Sequence, residues 1–234
     1  MNDFMKGLRK GLPIAIGYLS VSFTFGVKAV HGGIPVWIVI LMSATNLTSA
    51  GQFAGATLIM VQGSYLEMAV TTFVINIRYM LMSLALSQKI AKDTPLWQRL
   101  IAGFGITDEV FAVASTEPSE ITSKYLYGLI SLPVIGWTAG TTLGAFVSQI
   151  MPAALSSAME LGLYAMFIAI IIPPARKSRA VLLVIIIAIV ISCILHEVPV
   201  LCDISVGFQV IIAAVAAAVV GAVVKPVKEE WRID

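Results

Sequence analysis

Charge is what this sequence has least of. Only 12% of its 234 residues are Asp, Glu, Lys or Arg and 59% are hydrophobic, whereas soluble domains carry about 25% charged and about 45–50% apolar residues. No charged side chain occurs from Ala29 through Leu66, nor from Tyr125 through Met159. A formal net charge of +2 leaves no basic face for nucleic acid. Cysteine is nearly absent: Cys193 and Cys202 stand without a CxxC and make no disulfide framework. The two histidines, His31 and His196, lie near predicted helix ends, and there is no HExxH, GxSxG or Walker A sequence. That leaves few ordinary means of metal or nucleophilic catalysis inside the membrane; no cofactor or metal is expected, and this chain has no ATPase motif.

What the chain has is long hydrophobic runs, eight of them, at 12–30, 35–61, 64–88, 97–115, 124–149, 154–174, 180–195 and 204–224. About 20 apolar residues cross about 30 Å of hydrocarbon as a helix. The runs are continuous instead of alternating in period two, which favours helices over a barrel. The expectation is an all-α, polytopic membrane protein with a single transmembrane domain over 1–234. The basic start, Lys6, Arg9 and Lys10 before an apolar run, superficially resembles a signal peptide, with a weak cleavage pattern at Val27-Lys28-Ala29. A retained first membrane helix is expected instead, because many further spans follow.

Two runs read as broken. The stretch 35–61 would be about 40 Å long as one helix, and its middle holds the polar run Thr45-Asn46-Leu47-Thr48-Ser49-Ala50-Gly51-Gln52. Ser49 and Gln52 have the spacing of a capping box, a helix start. In 97–115, Gly103-Phe104-Gly105 precedes Thr107-Asp108-Glu109. Thr107 can cap a new helix there, with two acids where the dipole favours them. Basic clusters at Lys6/Arg9/Lys10, Lys89/Lys92/Arg99, Arg176/Lys177/Arg179 and Lys225/Lys228/Arg232 share the cytoplasm only if one run in each of the first two intervals fails to cross. Making 35–61 and 97–115 re-entrant or discontinuous leaves six crossings and both termini cytoplasmic. A faint internal echo links Leu12-Pro13-Ile14-Ala15-Ile16-Gly17-Tyr18 to Leu132-Pro133-Val134-Ile135-Gly136-Trp137, as repeats do in transporters.

Ionisable groups inside a membrane cost energy and mark candidate sites. Arg78, central in 64–88, either binds a substrate carboxylate through its guanidinium fork or pairs with Asp108, Glu109 or Glu160. Asp108 and Glu109 point about 100° apart on a helix; one can hold a substrate ammonium or coupling proton while the other caps the helix. Glu160 is a third candidate for a coupling ion, or a headgroup-level charge. Glu67 and the His196-Glu197 pair read as interfacial. Asn46, Ser49 and Gln52 would bind an anionic group at a half-helix start. Gly51/Gly55 and Gly140/Gly144 are small-xxx-small packing pairs.

In order and spacing, Gly11-Leu12-Pro13, Ser49-Ala50-Gly51-Gln52-Phe53, Asn76-Ile77-Arg78-Tyr79, Thr107-Asp108-Glu109 and Gly140-Thr141-x-x-Gly144 resemble the AzlC (YgaZ-like) family over almost the whole chain. The resemblance implies a permease subunit exporting branched-chain amino acids by secondary transport. It also implies a small hydrophobic AzlD-like (YgaH-like) partner and a bacterial-type inner membrane location. The positions that match are Ser49 through Phe53, Asn76, Arg78, Thr107, Asp108 and Glu109. Two other readings stay open: a structural or regulatory membrane subunit, and an intramembrane enzyme using Asp108 and Glu109 as acid and base.

Overall fold

A computed structural model describes residues 2–118, 120–148, 150, 168, 171–172, 175–176, 178–199, 201 and 204–224. Among these the chain is helical: α1 (Asp3–His31), α2 (Val36–Thr45), α3 (Ala50–Met60), α4 (Tyr65–Ser87), α5 (Leu96–Phe104), α6 (Asp108–Ser115), α7 (Ser123–Val147), α8 (Arg179–Glu197) and α9 (Val206–Val224). Five of them, α1, α4, α7, α8 and α9, are long and apolar enough to cross a membrane. These are five of the six expected crossings; of the sixth, 154–174, only 168 and 171–172 are described, and Glu160 and Cys202 lie outside the described residues. Large apolar side chains such as Ile16, Leu81, Leu100 and Ile135 stand exposed, as contact with lipid tails requires.

Two compact units divide the chain, 1–62 with 72–163, and 63–71 with 164–234. The first is organised around α1 and α7, which run parallel. Their backbones meet through glycine along the whole length: Gly7 against Tyr125, Gly11 against Leu129, Gly136 against Ala15, Gly140 against Leu19, and Gly144 against Phe23. Without side chains at those points the helices approach closely enough for dispersion to hold them where lipid supplies no hydrophobic drive. Both carry an internal proline, Pro13 and Pro133, so the two echoing segments lie side by side.

The two broken runs are hairpins. Gly32, just before α2, lies against the side chain of Met60, the last residue of α3, so both ends of the first run come together beside the C-terminal end of α1. At the second, Ala91 N–H donates to Ile121 O (3.0 Å) and Ile121 N–H to Lys89 O (2.9 Å), bringing together the chain before α5 and after α6. This end is tied to the N-terminal end of α1, where Lys6 and Lys10 both pair with Glu117. The hairpins therefore enter the unit from opposite ends. Helices of 8 to 11 residues are about 12–17 Å long, roughly half the hydrocarbon thickness, so their tips meet near the middle.

Glu117, in the connection after α6, is only 4% exposed. Its carboxylate accepts from Lys6 (2.7 Å), Lys10 and Tyr125 (2.7 Å). Burial alone would raise this carboxyl; the hydrogen bonds from Lys10, Lys6 and Tyr125 overcome it and hold it at about 2. A depressed folded-state value means the stabilisation is complete above the ordinary glutamate range. It is lost as pH falls from there toward about 2. The lysines are 39% and 42% exposed, so Glu117→Gln is expected to cost only about 1–2 kcal/mol. Thermal unfolding in detergent should show this at neutral pH, as a loss of about 2–8 °C, and the deficit should shrink in acid.

The second unit packs α8 against α9. Gly221 lies against Val184, so the two run antiparallel. Glu67 is 5% exposed and accepts from Gly207 N–H at 2.9 Å. Instead of facing headgroups, its carboxylate is buried where the positive end of α9 favours it.

Candidate functional site

The hairpin tips, 46–49 and 105–107, converge in the first unit with the central turns of α1, α4 and α7. The first tip begins with Asn46 Oδ1 accepting from Thr48 N–H at 3.0 Å. Ser49 then turns with φ +47°, a conformation non-glycine residues seldom adopt. No side chain caps α3. The capping box expected from Ser49 and Gln52 is thus not formed, because Gln52 is claimed elsewhere. It is 1% exposed, its Nε2 donates to Ser43 Oγ (2.6 Å), and its Oε1 accepts from Trp137 Nε1 (2.9 Å). Ser43 Oγ in turn pairs with Thr141 Oγ1 at 2.7 Å. Gln52 spans the break and ties both halves of the hairpin to α7, which commits its side chain to holding the tip.

Gly51 meets neighbouring side chains instead of a helix backbone. A Cβ there would sit 2.6 Å from Asn76 Oδ1 and 2.7 Å from Thr48 Oγ1. Those two atoms are buried without a hydrogen-bond partner among the described residues. Orphaned polar atoms of this kind call for a water or ligand group. At Gly55 an added Cβ would meet nothing within 4 Å, so the 51/55 pair makes no close seam of the sort Gly140 and Gly144 make with α1.

The second tip is built as its sequence suggests. Thr107 caps α6, accepting from Val110 N–H at 3.4 Å. Asp108 and Glu109 diverge. Asp108 Oδ2 pairs with Arg78 Nη1 at 2.8 Å, both side chains about half exposed. Glu109 instead meets the Tyr18 hydroxyl, which also bonds Thr107 Oγ1 at 2.6 Å. The two carboxylates thus have different partners, one cationic and one neutral. Arg78 Nη2 also donates to Tyr79 Oη (3.0 Å), and Tyr79 donates to Thr48 O (3.1 Å). Asp108, Arg78 and Tyr79 therefore join the second tip to the first. Tyr18 stacks edge-on against Trp137, ring centroids 5.3 Å apart.

Tyr18, Thr48, Tyr79 and Trp137 were not singled out by sequence as site residues. The echo could have found two of them, since Tyr18 and Trp137 close its matching segments.

The AzlC protein family model matches residues 13–151, which contain both hairpins and every site residue above. The chain belongs to the AzlC family. Among relatives, an uncharacterized membrane protein of Archaeoglobus fulgidus is 33% identical over 181 residues, 76% of this chain and 79% of that one. Inner membrane protein YgaZ of Escherichia coli is 28% identical over 147 residues, 61% of this chain and 60% of that protein. An uncharacterized membrane protein of Helicobacter pylori is 26% identical over 156 residues, 64% of this chain and 68% of its own. No solved structure matches. Family and relatives make this AzlC protein a multi-pass membrane protein with a transport-related role.

Proposed function

We propose that this AzlC protein is the large subunit of a secondary exporter of branched-chain and similar hydrophobic amino acids. In this reading it works with a small hydrophobic AzlD-like subunit in a bacterial-type inner membrane, both termini cytoplasmic. The observation that carries the reading is the Arg78–Asp108 pair, half exposed where the two hairpin tips meet. An opposite-charge pair at that spacing is the complement of an amino-acid zwitterion. The substrate carboxylate replaces Asp108 on the guanidinium fork, and its ammonium takes Asp108. Thr48, Asn76 and the uncapped start of α3 add hydrogen-bonding capacity and positive potential beside the carboxylate. Leu47 and Ile106, one from each tip and both buried in the apolar core, would have to part to admit the aliphatic tail. Exchange of one ion pair for two leaves no charge unpaired at any stage, which matters where an isolated charge is costly.

The small subunit is tested by reconstituting the chain with and without it and measuring counterflow of labelled valine, leucine, methionine and alanine. Valine exceeds alanine by two methyl groups, about 1.6 kcal/mol of burial, or about fifteenfold. That preference, present only with both subunits, is the expected result. Counterflow no faster than in empty vesicles for every amino acid would overturn the reading.

A further inference from the structure

Among the described residues, Asp108 has a cationic partner and Glu109 has none. Glu109 is held by a neutral donor, Tyr18. A tyrosine hydroxyl carries a single proton. When Tyr18 gives it to ionised Glu109, Thr107 must donate to Tyr18, while Thr107 Oγ1 still accepts from Val110 N–H. Tyr18 is 8% exposed and cannot turn to solvent. Its ring bears edge-on on Trp137, whose indole N–H is fixed by Gln52, which is fixed by Ser43 across the first hairpin's break. One unbroken line of contacts therefore runs from Glu109 on the second hairpin to both halves of the first.

We infer that Glu109 takes up the coupling proton and that Tyr18 is the positioning residue that passes its protonation state to the other hairpin. This rests on the transport reading above. A proton added at Glu109 converts the carboxylate into a donor. Tyr18 then loses its acceptor, its hydroxyl turns to Thr107, and the ring shifts against Trp137, altering the hold on Gln52. The groups facing Glu109 are few. Asp108 neighbours it on α6 but is neutralised by Arg78 of α4; Tyr79 of α4 is engaged by Arg78 and Thr48. α1 presents Tyr18, α7 presents Trp137, and the first tip, 46–49, has no ionisable side chain. No cation competes for Glu109 among the described residues, so its charge is free to change without breaking an ion pair.

Two measurements test this. In vesicles holding both subunits, Glu109→Gln should abolish accumulation driven by a pH gradient while counterflow of valine persists. Tyr18→Phe should keep counterflow but weaken its dependence on pH. Gradient-driven accumulation surviving in Glu109→Gln, or counterflow vanishing with it, would overturn the assignment. The second measurement needs no transport. In protein with Trp37, Trp97 and Trp231 changed to Phe, Trp137 emission should titrate with pH, and both Glu109→Gln and Tyr18→Phe should abolish that titration. Emission that titrates equally in Glu109→Gln overturns the inference even if wild-type protein moves no amino acid, an outcome that would sink only the transport reading.

Discussion

Arg78→Ala is expected to lower valine counterflow by about 30- to 1,000-fold, the equivalent of about 2–4 kcal/mol, for removing one partner of a half-exposed charge pair that also holds the substrate. The loss has two sources. The substrate carboxylate loses its fork, and Asp108 is left without its cation near the middle of the membrane. Asp108→Asn should cost a similar amount by removing the ammonium's partner. The double variant separates the sources: with no orphaned charge it should fold and express better than either single variant, yet transport no better. Arg78→Lys should recover folding but not full transport, because an ammonium cannot bind a carboxylate and Tyr79 in a fixed plane. Unimpaired valine efflux in the double variant would refute this mechanism.

The second large effect is on the fold. Gly26→Leu or Gly140→Leu should prevent α1 and α7 from meeting. Even the Cβ would collide, at Gly26 with the backbone of Thr141 and Ala145, at Gly140 with Leu19 O and Ser22. Neither helix can give way without unzipping the seam. Overpacking at a rigid contact costs about 1–3 kcal/mol or more, and a leucine against two backbones belongs at the upper end. The expected outcome is a drop of about 6–12 °C in detergent, or no monodisperse protein at all. Gly55→Ala is the control. Its Cβ meets nothing, and alanine favours the helix by up to about 1 kcal/mol. The two glycine pairs are indistinguishable by spacing and should differ sharply in this assay.

That contrast shows what the sequence could and could not convey. Continuous apolar runs identify the long helices directly, because hydrocarbon thickness fixes their length. The two breaks were also legible, since Thr45 through Gln52 and Gly103 through Glu109 carry polar and capping residues where a span has no use for them. Which glycines are pressed against backbone was not legible, because that depends on which helix lies opposite. Gln52 misled for a related reason. Its spacing from Ser49 is that of a local cap, but a glutamine within reach of the Trp137 indole and the Ser43 hydroxyl gains more by satisfying both in a buried place. Arg78 with Asp108 was one of several admissible pairs; only the convergence of the tips selects it. Glu117 carried no signal, because its partners Lys6 and Lys10 are more than a hundred residues away.

The two hairpin tips are proposed to form a binding site for a zwitterion. This can be tested with Ala50→Cys, at the first turn of α3, in protein whose Cys193 and Cys202 are changed to Ser. The rate of modification by a membrane-impermeant maleimide is measured in vesicles with and without valine. Valine should slow the labelling, whereas analogues lacking either the carboxylate or the ammonium should not. A rate indifferent to valine, or no labelling from either side of the membrane, would contradict the account.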